Sequence, residues 1–154
     1  MKNMRFMALI LLLLPAMVFA QTAAEMDGLL AAETVSAARA ARFVLGTADL
    51  LPAALSGQLA EKAAYDMASA NGWIKIAAEE NINLRDTAFL IMKAFDLKGG
   101  VMYSLLKSPR YAYRELVYSG IIRGRSEQAT IVTGAGLLQM LDRTLRFAGK
   151  EEGQ

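Results

Sequence analysis

The chain has 154 residues, 55% of them hydrophobic, and carries 17 lysines and arginines against 15 acids, with no histidine and no cysteine. That composition removes thiol nucleophiles, histidine bases, disulfides and the usual zinc and transition-metal ligand sets. A chain of this length can still hold together by packing alone, since one of ~150 residues buries some two-thirds of its unfolded surface.

The first segment is MKNMRFMALILLLLPAMVFA. Lys2 and Arg5 make a positive start, Ala8 to Leu14 is an unbroken apolar run, and Pro15 breaks it. Val18 and Ala20 place small residues before a cut ahead of Gln21. The pattern predicts a secretory signal peptide over residues 1–20, its apolar run shorter than the ~20 residues a membrane span needs. Its removal takes away two bases and no acid, so the exported chain holds 15 of each. A net charge of zero gives no reason to expect nucleic acid as a partner. No transmembrane segment is expected after signal removal, and a cysteine-free exported chain fits a bacterial periplasm or cell envelope.

Residues 21–149 read as one all-α domain and 150–154 as a disordered tail. No segment sustains the alternation of a half-buried strand. Ser36 to Leu45 is an alanine-rich helix, capped by Ser36 and ended by Gly46. Ala60 to Ala70 is a second helix, stopped by Asn71-Gly72. Asn83 caps a third that runs to Phe95, with Leu84, Ala88, Ile91, Met92 and Phe95 on its apolar face. Val101 to Leu106, between Gly99-Gly100 and Ser108-Pro109, reads as one turn of helix folded over the core. Ser108-Pro109 then starts a helix that stops at Gly120, with Tyr113, Leu116 and Val117 facing inward. Thr133 caps a last helix to Phe147, whose apolar face holds Leu137, Leu138, Met140, Leu141 and Leu145.

Two of these stretches repeat. AYDMASANGWI, Ala64 to Ile74, overlays AYRELVYSGII, Ala112 to Ile122, at an offset of 48. Downstream, Asn83 to Phe95 overlays Thr133 to Leu145 at an offset of 50, with Lys93 meeting Arg143. Ser36 heads a weaker copy 47 residues before Asn83. The unit is helix, glycine turn, short extended loop and capped helix, with a period near fifty, and a repeat of this length decides the architecture.

This pattern resembles the S-layer homology repeat, in which a helix ends in a Gly-Ile-Ile-x-Gly-like turn and a capped helix opens Thr-Arg-Ala-Glu. Gly120-Ile121-Ile122-Arg123-Gly124 matches the turn closely and Gly72-Trp73-Ile74-Lys75 loosely. The resemblance covers about residues 34–147 and implies a compact helical bundle of about two and a half such helix–turn–helix repeats. It also implies binding of a wall polysaccharide, which the arginine of Thr-Arg-Ala-Glu helps to hold in the family. Here the arginine positions are Ala37, Leu84 and Gly134, and the acid positions are Arg39, Asp86 and Gly136. Arg85 stands one place away from the second and could serve only with a shift of register. The resemblance therefore supports the fold more than the carbohydrate site.

Charge is uneven along the chain. Residues 98–125 hold Lys98, Lys107, Arg110, Arg114, Arg123 and Arg125 against Glu115 alone, and they hold four of the five tyrosines. Aromatic faces beside cations suit sugar rings, anionic polymers or protein partners. The acids are scattered and favour helix starts, so catalysis is not expected. The sequence thus reads as a non-enzymatic, cofactor-free exported envelope protein binding a cell-envelope polymer, a wall polysaccharide or peptidoglycan. Candidate contacts are Arg110, Tyr111, Arg123 and Arg125, then Trp73, Lys75 and Arg85. A periplasmic structural or protein-interaction module is the second reading, and a small carboxylate hydrolase is the third.

Overall fold

The computed structural model describes residues 23–124 and 127–151. The signal segment, Arg125 and the last three residues of the tail lie outside the described residues.

Seven helices are described: α1 (residues 23–30), α2 (Ala37–Thr47), α3 (Gly57–Ala70), α4 (Leu84–Ala94), α5 (Val101–Leu106), α6 (Pro109–Tyr118) and α7 (Gly134–Glu151). Among the described residues there is no strand. The chain is all-α, as its periodicity predicts.

Local chemistry sets the helix ends. The Ser36 hydroxyl accepts from the Arg39 N–H at 3.3 Å and opens α2. The Asn83 side chain accepts from the Asp86 N–H at 2.9 Å and donates to the Asp86 carboxylate at 2.9 Å, so cap and first turn hold each other. The Thr133 hydroxyl accepts from the Gly136 N–H at 3.1 Å at the start of α7. Gly72 and Gly120 follow α3 and α6 with φ of 69° and 76°, the left-handed backbone that ends a helix.

Several boundaries differ from those read in the sequence. Gly46 does not end α2, which runs to Thr47, and Asp49 supplies the left-handed residue at φ 55°. The α3 helix begins earlier, at Gly57, whose N–H donates to the Glu25 carboxylate at 2.7 Å. Helix α1 is an addition, and α7 continues through Lys150 and Glu151, into the segment expected to be disordered. Val117 and Leu145, expected inside, are exposed. The α5 turn does not fold over the core: only Tyr103 is buried.

By connectivity the helices group as α1–α2, α3–α4 and α6–α7, each a leading helix, an extended loop and a capped helix. Each leading helix packs on the capped helix of the unit before it: α3 on α2 and α6 on α4. The end of α1 meets the start of α7, where the Gly134 N–H donates to the Ala32 carbonyl at 2.9 Å.

The extended loops meet in the middle. Val35, Ile82 and Val132 each stand one residue before a helix cap, and all three are buried. The Val35 N–H donates to the Val132 carbonyl at 3.1 Å, the Val132 N–H to Ile82 at 3.0 Å, and the Ile82 N–H to Val35 at 2.9 Å. This closed ring satisfies backbone groups that burial would otherwise strand. Around it lie Leu29, Leu45, Ile74, Leu90, Ile91, Leu116 and Leu137, in one cluster drawn from all three units.

Candidate functional site

The turn after α6 builds a polar cleft whose walls come from more than one unit. Positive φ at Gly120 reverses the chain, and the Ile122 N–H donates back to the Leu116 carbonyl at 2.9 Å. Ile121 and Ile122 are buried beneath the turn and leave Arg123 exposed above it. The Arg123 Nε donates to the Gly120 carbonyl at 3.1 Å, which holds its stem along the turn. From α7, Arg143 reaches across: Nη1 donates to the Ile121 carbonyl at 3.0 Å and Nη2 to the Gln139 side chain at 3.3 Å.

Arg123 and Arg143 line a cleft of about 210 Å³ with Leu84, Thr130, Thr133 and Gln139. Leu84 opens α4, so the cleft straddles the second and third units. No carboxylate lines it. Two guanidinium groups and a rim of hydroxyl, amide and backbone groups can hold a carboxylate or a polyhydroxylated chain.

Three buried residues stand where the resemblance to the S-layer homology repeat would lead one to expect an arginine. Ala37, Leu84 and Gly134 are buried, and their N–H groups donate to Glu80, Thr130 and Ala32 carbonyls at 2.8, 2.9 and 2.9 Å. A Cβ at Gly134 would overlap the Leu29 carbonyl oxygen. Arg85 does not replace them: it is exposed, and its Nε pairs with Asp86 at 3.2 Å.

The other candidates are dispersed. Trp73 is half-buried against the core in the turn after α3, and Lys75 is exposed two residues on. Lys93, at the place of Arg143 in the second unit, stands over the Phe89 ring at 5.4 Å and does not cross to that turn. Arg110 is exposed in the first turn of α6. Tyr111, expected at the surface, is half-buried against the core and lines a different cleft, shared with Val101, Met102 and Tyr118. Of the six candidates among the described residues, Arg123 alone lines the Arg143 cleft. Arg143 itself was missed as a contact; its only signal in the sequence is its alignment with Lys93.

Among the described residues no cluster of acids could hold a metal ion, and no helix is long and apolar enough to cross a membrane. No family model, curated protein or solved structure matches the chain.

Proposed function

We propose that this is a non-enzymatic exported envelope protein whose helical domain binds a cell-envelope polymer, a wall polysaccharide or peptidoglycan, through the Arg123–Arg143 cleft. The observation that carries this reading is a cleft with two guanidinium groups and no acid, placed where the third unit's glycine turn meets its own capped helix and the start of the second unit's capped helix. The cyclic packing of three helix–loop–helix units adds support, since S-layer homology repeats combine the same local elements. The signal-like first 20 residues favour export.

The test uses the chain from Gln21, which contains all seven helices, sedimented with purified sacculi or mixed with immobilised envelope polysaccharide. Retention at low salt is expected, and Arg123→Ala should weaken it by about tenfold, the loss of one charge-assisted hydrogen bond. No retention on either polymer overturns the reading.

A periplasmic protein-interaction module is the second reading. It is favoured by one observation: the family's arginine positions hold Ala37, Leu84 and Gly134, all buried. Crosslinking in the intact envelope separates the two, with a discrete protein adduct expected only for the second.

A further inference from the structure

The α5 turn is the most exposed apolar surface among the described residues. Val101 is 74% exposed, Met102 57%, Leu105 74% and Leu106 58%, while Tyr103 on the opposite side is buried. Those four lie at steps of one and four, so they share one helix face. Gly99 permits this arrangement: a Cβ there would stand 2.5 Å from the Tyr103 ring, and its absence lets the ring close on the backbone and turn the other four outward. From α6, Tyr118 extends the patch at 92% exposure, across a cleft of about 470 Å³ shared with Val101, Met102, Tyr111 and Arg114. A cluster of apolar side chains this open marks a contact surface.

Its rim is basic. Lys98, Lys107, Arg110 and Arg114 are exposed, and no ion pair among the described residues includes any of them. Lys93, Lys98 and Lys107 line a second cleft of about 310 Å³ on the Tyr103 side of α5. Two acids face the same region, Asp96 in that cleft and Glu115 in the other, so five bases oppose two acids. Residues 21–97 hold six bases and ten acids, so the basic face stands apart from an otherwise acidic domain.

We propose that this face docks the chain on an anionic lipid bilayer. Val101, Met102, Leu105 and Leu106 enter the boundary between headgroups and acyl chains, and the lysines and arginines around them meet lipid phosphates. Protruding apolar side chains with a cationic rim are what an interfacial contact requires, and electrostatic attraction adds to the apolar burial. A second copy is a poorer occupant, because a symmetric contact would set basic rim against basic rim. With no helix able to cross a membrane among the described residues, the contact lies on the surface. This proposal is independent of the Arg123 cleft, which shares no lining residue with the two clefts beside α5.

Vesicle flotation tests it, using the chain from Gln21 with vesicles of phosphatidylglycerol and phosphatidylcholine in equal parts, and with phosphatidylcholine alone. Flotation is expected with the anionic vesicles only, falling steeply as salt rises. Inorganic phosphate at matched ionic strength should not compete beyond the salt effect. Leu105→Ser with Leu106→Ser, and separately Lys107→Glu with Arg114→Glu, should each lower binding about tenfold or more. All four residues are exposed, and unchanged thermal unfolding would show both variants folded; if one unfolds, the other decides. Absence of flotation at low salt overturns the proposal, as does equal flotation on neutral vesicles or full binding by a folded variant. A dimer in solution that the serine pair dissociates also overturns it, because a second copy would then cover the face.

Discussion

The Val35 N–H donates to the Val132 carbonyl at 3.1 Å, and this bond ties the start of the first capped helix to the start of the last. With Ile82 it completes a ring of three residues, each just ahead of a helix cap. Folding of α2, α4 and α7 is therefore coupled through backbone bonds at one point, and the ring residue side chains fill the space around it. Ile82→Ala should destabilise the domain by about 2–5 kcal/mol, the cost of a cavity at a closed site. Ile131→Ala, at a 40% exposed position beside the ring, should cost about 1 kcal/mol or less. Urea unfolding of the two variants checks the contrast, and equal losses would show that the ring carries no special weight.

Two glycines of α7 should respond in opposite senses. Gly134 has no room for a Cβ against Leu29, so Gly134→Ala must separate α1 from α7 and should destabilise by about 1–3 kcal/mol. Gly149 sits in the same helix with open space where its Cβ would go. There Gly149→Ala should add about 0.5–1 kcal/mol through helix propensity alone. Thermal or urea unfolding reads both signs.

What the sequence made legible follows from how local each feature is. Ser36, Asn83 and Thr133 cap the helices they precede because a cap needs only the next three residues. Gly72 and Gly120 end helices because glycine alone takes their φ without strain. Gly46 misled because a glycine can also lie inside a helix, and Asp49 and Asp96, with φ of 55° and 47°, stand where a glycine would be looked for. The ring of Val35, Ile82 and Val132 uses backbone groups, which carry no side-chain signature. Arg143 escaped selection because its reach to Ile121 depends on how α7 crosses the turn. Exposure of α5 runs against its apolar composition, and that conflict between local pattern and environment is itself what points to a binding face.

Two buried threonines offer a test of hydrogen-bond satisfaction. Thr87 and Thr144 are both fully buried. The Thr144 hydroxyl donates to the Met140 carbonyl at 2.8 Å, whereas the Thr87 hydroxyl has no partner among the described residues. Thr87→Val exchanges an unpaired polar group for a methyl of similar size and should stabilise by about 1 kcal/mol. Thr144→Val removes a made bond and should be neutral or cost up to about 1 kcal/mol. Chemical denaturation of the pair decides it; a loss at Thr87 matching that at Thr144 would mean the Thr87 hydroxyl is satisfied after all.

Alkaline pH should act through Tyr103, the residue that fastens α5 to the domain. Burial, and to a lesser extent the charge of Asp96, hold its phenol above the ordinary tyrosine value of 10.0. The folded state therefore prefers the neutral phenol more than the unfolded chain does. This preference contributes stability that is complete below about pH 10 and is lost as pH rises through the higher folded-state value. Tyr103→Phe cannot ionise, so its stability should fall less steeply than that of the parent chain above about pH 10, while the two profiles run parallel below it. Unfolding measured from neutral to alkaline pH, with ultraviolet absorbance following tyrosinate formation, gives both quantities. Parallel profiles throughout the alkaline range would show that Tyr103 titrates as freely in the folded chain as in the unfolded one, and that its burial does not resist ionisation.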